Sequence, residues 1–142
     1  MLVKKEKSPE KFIMLEHEAD IKFQAFGATL DEGFVNSALA LTSYISGNQK
    51  IDSRKGKIIE VSGTDISSLL YNFLDEILYL LDAEHFILSK VSVFLRGNNL
   101  KAELFGDSTS NYKLDHVKAA TYSEMKIRKV GNKWVLQFVM DV

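Results

Sequence analysis

The first clear pattern along the chain is an alternation of apolar and polar residues between Phe12 and Ala25. The apolar side chains occupy every second position: Ile13, Leu15, Ala19, Ile21, Phe23 and Ala25. A period of two is typical of a half-buried β-strand. The segment therefore predicts either one long strand or two strands that are joined near residues 17–19.

A helical period follows this strand pattern. Residues 29–32 (TLDE) have the form of a capping box, in which Thr29 accepts from the N–H of Glu32 and Glu32 reaches back to the N–H of Thr29. Small and apolar residues then recur at helical spacing as far as Ile45. Gly47 is placed to end this first helix in the left-handed conformation.

A second helix is predicted with Thr64 or Asp65 as its cap. Its apolar stripe extends to Leu81 and is wide enough to contact a sheet and the first helix together. The other alternating segments predict strands: 57–63, 86–96, 99–106, 118–129 and 133–141. Glycine and asparagine at 97–99 and 131–132 indicate hairpin turns, and 106–116 is predicted to be a polar loop.

These elements predict an α+β fold. We expect a single domain over residues 11–142, preceded by an N-terminal arm over residues 1–10. Its sheet is expected to be mostly antiparallel and at least partly mixed, with the two helices packed on one face.

Composition narrows the classes of protein that the chain fits. Lys and Arg (18) nearly balance Asp and Glu (19), which disfavours nucleic-acid binding through bulk charge. The absence of cysteine excludes disulfides, zinc-thiolate sites and thiol nucleophiles. The charged N-terminus is no secretory signal, and the most apolar segment, 66–82, contains Asp75 and Glu76. We therefore expect a soluble, cytoplasmic protein without a membrane partner.

Familiar catalytic motifs are missing from the sequence. There is no GxxxxGK[ST], GxGxxG, HExxH or GxSxG motif. The histidines, His17, His85 and His116, do not have the spacing of metal ligands. The absence of these motifs disfavours an enzyme without excluding one.

The stretch LEHEAD (15–20) is the first candidate for chemistry. In an extended chain Glu16, Glu18 and Asp20 would point to one face, and His17 would share the other with the apolar stripe. His17 is then interpreted as a buried, hydrogen-bonded histidine. The three carboxylates form either a solvated acidic turn or part of a cation site.

The other end of the sequence favours the cation site. In WVLQFVMDV (134–142), Asp141 lies on the face opposite the apolar residues, and Val142 adds a terminal carboxylate. Carboxylates gathered near the acidic turn would repel one another unless a cation neutralised them. Oxygen ligands of this kind suit Ca²⁺ or Mg²⁺.

Basic residues concentrate in the last third of the chain. They are Lys113, His116, Lys118, Lys126, Arg128, Lys129 and Lys133. Two interpretations stay open: a solvated strand face, and a docking surface for an RNA enzyme or its substrate.

Three segments together resemble the archease family. They are LEHEADIKFQAFGATLDEGFVNSALAL (15–41), LLYNFLDEILYLLDAE (69–84), and VKAATYSEMKI (117–127) with the terminal WVLQFVMDV. They are similar to the family's LEHTADIxxxAxGxTLEExFxxAAxAL, LLYxFLxELLYLLDxE and VKAVTYHxM segments, in the same order. The resemblance extends over nearly the whole chain after residue 11.

The resemblance implies a protein cofactor and not an enzyme. Archeases assist the RtcB-type RNA ligase that joins tRNA halves during splicing, so the ligase is the expected partner and tRNA is contacted through it. That ligase uses GTP and Mn²⁺ to attach GMP to its own histidine. The archease promotes this guanylylation, supports multiple turnover and can broaden the nucleotides that the ligase accepts. The family fold has some likeness to a heat-shock chaperone domain.

The resemblance also implies a set of site residues. Asp20, Asp141 and the carboxylate of Val142 correspond to the family's ligands for a divalent ion, expected to be calcium, with Mg²⁺ or Mn²⁺ as alternatives. Lys118 corresponds to a lysine that is a candidate for contact with the ligase or its nucleotide, and His17 matches the family histidine. Glu18 stands where the family usually has threonine, which adds a ligand or crowds the site with charge.

Two other functions stay open. One is a chaperone-like or nucleic-acid-processing accessory module. The other is a small metal-dependent hydrolase that uses the same carboxylates.

Overall fold

The computed structural model describes residues 10–16 and 20–142. Its elements, in chain order, are β1 (Phe12–Glu16), β2 (Asp20–Gly27), α1 (Leu30–Ser46), β3 (Lys55–Ser62), α2 (Ile66–Ala83), β4 (Phe86–Arg96), β5 (Asn99–Ser108), a short 3-10 turn (Thr109–Asn111), β6 (Ala119–Val130) and β7 (Lys133–Asp141). The predicted arm, 1–10, lies almost wholly outside these residues and stays a prediction.

The strands form two sheets. The first sheet has the order β1–β2–β7–β6, the second has the order β3–β5–β4, and every strand pair in the described residues is antiparallel. The predicted α+β class with two main helices is confirmed. The sequence suggested one partly mixed sheet; the strands form two, and the chain passes from the first sheet to the second between β2 and β3 and returns through the segment 109–118.

Helix α1 begins at the predicted capping residue. The N–H of Glu32 donates to Thr29 Oγ1 at 3.1 Å, which satisfies one of the free donors of the first turn. The Glu32 carboxylate accepts from the N–H of Ala28 at 3.2 Å, one residue before the predicted partner. The helix ends at Gly47, whose φ of 60° is the left-handed conformation that the sequence predicted.

Helix α2 is capped by Asp65, the second of the two candidates. Asp65 Oδ1 accepts from the N–H of Ser68 at 2.8 Å, and Ser68 Oγ accepts from the N–H of Asp65 at 3.1 Å. This reciprocal pair fixes the start of the helix in the way of a capping box.

The core lies where the two helices meet the inner faces of both sheets. Helix α1 contacts β2 and β4, while α2 contacts β6 and β3, so each helix joins the two sheets. Phe23 of β2 stacks on Phe138 of β7, with ring centroids 5.0 Å apart, and meets Tyr44 of α1 edge-on at 6.3 Å. No helix in residues 10–16 and 20–142 combines the length and the hydropathy needed to cross a membrane.

Residues 12–27 contain two strands, which confirms one of the two predicted alternatives. Strand β1 ends at Glu16, strand β2 begins at Asp20, and the two pair in antiparallel register. The residues that join them, 17–19, lie outside the described residues.

The predicted continuous apolar stripe is wrong, because the chain reverses direction between the two strands. Ile13 pairs with Gln24 and Leu15 pairs with Lys22, so these apolar residues lie on the outer face of the first sheet. Phe23, by contrast, is fully buried on the inner face. The alternation of odd positions therefore predicts one common face for the two strands, and the strands do not share such a face.

A buried aspartate organises the end of β5. Asp107 is 2 % exposed, and its Oδ2 accepts from the hydroxyl of Tyr112 at 2.7 Å and from Arg54 Nη1 at 3.3 Å. Its Oδ1 accepts from the N–H of Ser108 at 2.8 Å. The Tyr112 hydroxyl is the main cause that holds the pKa of Asp107 below its usual 3.8, against the opposing effect of burial.

Replacing Asp107 by asparagine is expected to remove an acid-sensitive part of the stability. Because the folded-state pKa is lowered, this carboxylate stabilises the fold above pH 3.8 and loses that effect as the pH falls through the folded value. Urea unfolding at pH 7 and near pH 2.5 measures the change. We expect the Asp107→Asn variant to be less stable than the unmodified chain at pH 7. The difference in free energy of unfolding between the two should be smaller near pH 2.5. An equal difference at both pH values would contradict this.

Candidate metal site

The outer face of the first sheet carries the predicted site. In β2 and β7 every second side chain points away from the core. On β2 these residues are Asp20, Lys22, Gln24 and Phe26; on β7 they are Lys133, Val135, Gln137, Val139 and Asp141. The hydrogen bond from Gln24 Nε2 to Gln137 Oε1, 2.9 Å long, crosses this face and fixes its register.

Two carboxylates meet at one end of this face. Asp20, the first residue of β2, is the direct cross-strand partner of Asp141, the last residue of β7. Side chains in such a pair have Cβ atoms about 4.5–5.5 Å apart. Asp141 is exposed, while Asp20 is half-buried and its Oδ1 atom is buried. Strand pairing alone thus brings together two residues that are more than a hundred positions apart in the sequence.

The chain on either side of this pair brings two more of the predicted residues close. The N–H of Lys118 donates to the carbonyl oxygen of Asp141 at 2.8 Å, just before β6 begins. Val142 is half-buried and packs against the core. Asp20, Asp141 and Val142, which we call the acidic corner, therefore lie together with Lys118 beside them.

Other predicted residues are not placed here. His17 and Glu18 lie outside the described residues, so the buried histidine and the effect of the glutamate stay predictions. Glu16 pairs with Ile21 across the β1–β2 turn. Glu16 ends β1 and Asp20 begins β2, so the extended segment on which their shared face depended is interrupted, and the position of Glu18 stays a prediction.

The acidic corner has the chemistry of a site for a hard cation. Like charges directly opposite each other in a sheet are destabilising, and a bound cation would offset this repulsion. The donors are all oxygen atoms, which suits Ca²⁺, Mg²⁺ or Mn²⁺ and disfavours softer metals. Among the described side chains, no group of three or more His, Cys, Asp or Glu is gathered for a metal. A complete ligand set would therefore need the terminal carboxylate or residues 17–19.

A wide bulge in β6 was not predicted from the sequence. Thr121 pairs with Val139 and Lys126 pairs with Gln137, so four residues, 122–125, stand opposite one residue of β7. Glu124 adopts a φ of 54° within the bulge, and its Oε1 accepts from Lys22 Nζ at 2.8 Å. The bulge thus brings an acidic side chain across β7 to neutralise Lys22.

The same bulge joins the sheet to α2. The rings of Tyr122 and Tyr71 stack with centroids 4.2 Å apart and an angle of 8° between their planes. The alternation of 118–129 predicted an uninterrupted strand, and nothing in the letters YSEM distinguishes a bulge from a strand.

The basic residues of the last third do not form one surface. Lys126 and Arg128 of β6 lie on the outer face opposite Gln137 and Val135. Lys133 shares this face, and its Nζ lies 4.4 Å from the centre of the Phe26 ring. Lys129 pairs with Trp134 and lies on the other face, while Lys113 and His116 belong to the segment between the sheets. The outer face is therefore acidic at one end and basic at the other.

Comparisons with known proteins bear on the family and the fold of the chain. The family model for the archease protein family matches residues 12–142. The archease of Pyrobaculum neutrophilum is 40% identical over 135 residues, covering 89% of this chain and 92% of that protein. The archease of Pyrococcus abyssi is 36% identical, covering 89% and 95%.

Two solved structures have the same fold. Protein 1598 of Methanobacterium thermoautotrophicum superposes with a TM-score of 0.82 at 28% identity, covering 93% of this chain and 99% of that one. A Thermotoga maritima protein described as an archease and possible chaperone gives a TM-score of 0.64 at 18% identity, covering 99% and 100%. The match to the family model spans both strands that meet at the acidic corner, and with these relatives it confirms the resemblance found in the sequence: this chain belongs to the archease family.

Proposed function

We propose that this chain is a protein cofactor of an RtcB-type RNA ligase and has no catalytic activity of its own. In this role it promotes the transfer of GMP to the ligase histidine, supports repeated turnover and broadens the accepted nucleotide. The direct pairing of Asp20 with Asp141 at the exposed end of the sheet is the observation that carries the proposal. Membership of the archease family supports it.

Asp20, Asp141 and the carboxylate of Val142 would hold the divalent ion. When bound, the ion would supply positive charge that neutralises the corner and keeps the end of β7 against the start of β2. The ion is expected to be calcium, with Mg²⁺ or Mn²⁺ as alternatives, because every donor is a hard oxygen atom.

The acidic corner is suited to the active site of a ligase that handles RNA and nucleotides. Such a site must be electropositive to hold phosphates, so exposed carboxylates complement it in charge. Asp141 and Lys118 are both exposed at this corner. We assign Asp141 to contact with the basic site or its metal, and Lys118 to contact with the ligase or with a phosphate of the nucleotide.

A guanylylation assay tests the proposal. The ligase from the same organism is incubated with radiolabelled GTP and Mn²⁺, with and without this protein, and the fraction of labelled ligase is followed. We expect faster labelling and more ligations per ligase molecule when the protein is present. An unchanged labelling rate and a single turnover in both samples would overturn the proposal. Label or phosphate release by this protein alone would instead support the metal-dependent hydrolase.

A chaperone-like role is the second candidate. It is favoured by three exposed apolar side chains, Ile58, Phe94 and Phe105, on the outer face of the second sheet. The Thermotoga maritima relative is described as a possible chaperone. This role predicts that the protein suppresses thermal aggregation of the ligase without changing its guanylylation rate.

A further inference from the structure

The basic half of the outer face carries cations from three parts of the chain. Lys126 and Arg128 lie on β6 and Lys133 lies at the start of β7, all on one side of the sheet. The carbonyl of Lys11 accepts from the N–H of Phe26 at 2.9 Å, which places Lys11 beside the same surface. All four lysine and arginine side chains are exposed. We call these four residues the basic half.

Ion pairing distinguishes the four cations of the basic half from Lys22. Within the part of the chain that the structure describes, none of the four forms an ion pair. Lys22, on the same face, is by contrast paired with Glu124 at 2.8 Å. The bulge thus compensates the charge of Lys22 and leaves the cations of the basic half available to an anion.

A cleft opens beside the basic half. It has a volume of about 750 Å³, and its lining includes Lys11, Lys133, Phe26 and the amide of Asn132 together with the carboxylates of Glu10 and Glu32. The Glu32 carboxylate accepts from the N–H of Ala28, so part of its charge serves the start of α1. Cations, an aromatic ring and amide groups in one cleft are the groups that contact phosphates and bases in single-stranded nucleic acids.

Protection of the sheet edge does not account for this arrangement. Lysines on edge strands discourage pairing with other chains, and β6 is an edge strand of the first sheet. That explanation covers Lys126 and Arg128. It does not cover Lys133, which belongs to the interior strand β7 and lines the cleft together with Lys11, the residue before the other edge strand, β1.

We propose that the basic half and its cleft bind single-stranded RNA directly. The phosphates lie against Lys126, Arg128, Lys133 and Lys11, and one nucleoside enters the cleft beside Phe26. Phosphate contacts supply the affinity, so binding is weakly dependent on sequence. This activity goes beyond the cofactor role proposed above, in which RNA is reached only through the ligase, and it does not depend on that role.

Fluorescence anisotropy with a labelled, unstructured RNA of about twelve nucleotides tests the proposal without any ligase. Three to four phosphate contacts predict a slope of about −2 to −3 for the logarithm of affinity against the logarithm of salt concentration. The variant K126E/R128E/K133E is expected to bind at least tenfold more weakly than the unmodified chain. Circular dichroism of each variant establishes that it is folded, and Arg128→Gln provides a milder change if the triple variant is not.

The second sheet offers a matched control. Its outer face carries three exposed cations, Lys90, Arg96 and Lys101, which alternate with Glu60 and Glu103. Reversing the charge of these three cations changes the net charge of the protein by the same amount, but at a less basic surface. We expect K90E/R96E/K101E to retain RNA binding within about threefold. Equal losses in the two variants, or no binding by the unmodified chain at low salt, would overturn the proposal. Lost ligase stimulation in K126E/R128E/K133E without any RNA binding would assign the surface to an acidic protein partner instead.

Discussion

The Asp141→Asn variant is expected to lose stimulation of the ligase while keeping its fold. Asp141 is exposed and directly opposite Asp20, so the change removes one ligand of the proposed ion and no core contact. It also removes the like-charge repulsion between the paired side chains, worth roughly 0.2–1 kcal/mol in a sheet. Without metal the variant should therefore unfold at the same temperature as the unmodified chain or slightly higher.

Three measurements separate this expectation from simple misfolding. Ligase labelling should fall at least tenfold, stabilisation by added Ca²⁺ should disappear, and the melting temperature in EDTA should be the same or slightly higher. Asp82→Asn, an exposed carboxylate on α2, is the matched control and should behave like the unmodified chain. Asp20→Asn is expected to have the same effect on stimulation. Full stimulation by either corner variant would contradict the assigned role.

The Gly106→Ala variant is expected to be severely destabilised. Gly106 lies in β5, the central strand of the second sheet, where β4 changes register between Leu88 and Lys90. A Cβ at this position would lie 2.0 Å from the carbonyl oxygen of Ile87 and 2.8 Å from the ring of Phe86. Because the closest atom belongs to the backbone, the two strands must separate, at a cost of about 3 kcal/mol or more.

Gly56→Ala provides the control for this prediction. Gly56 lies in the neighbouring strand β3, where an added Cβ has no atom closer than 3.8 Å. Alanine there is expected to be neutral or to stabilise by about 0.4–1 kcal/mol, because it restricts the unfolded chain. Urea unfolding and thermal melting measure both variants, and a Gly106→Ala midpoint equal to that of Gly56→Ala would refute the steric argument.

Local chemistry made the helices predictable. Thr29 and Gly47 act on backbone groups within one turn, so their positions alone indicated where α1 starts and ends. The hairpins of β4 with β5 and of β6 with β7 were equally local, because the turn residues at 97–98 and 131–132 lie between them. The proximity of Asp20 and Asp141 was predicted from the family motifs, because no local pattern in the sequence indicates it.

Features that depend on pairing over long distances were not predictable. The stretch LEHEAD looked continuous because the period of two is unchanged on both sides of the turn, although Leu15 and Phe23 face opposite sides. The bulge at 122–125 depends on contacts of Tyr122 with Tyr71 and of Glu124 with Lys22. The burial of Asp107 depends on Tyr112 and Arg54 folding back over the end of β5.

The separation of charge along the outer face has a consequence for encounter with a partner. Asp141 lies six positions along β7 from Val135, which pairs with Arg128, and this is about 20 Å of extended strand. A net charge of −1 gives the molecule almost no overall attraction to another macromolecule, yet this separation makes the outer face electrically polar along its length. The field of a strongly charged partner would rotate the protein before contact and present the oppositely charged end first. Association should therefore slow as salt is added, although the protein is close to neutral.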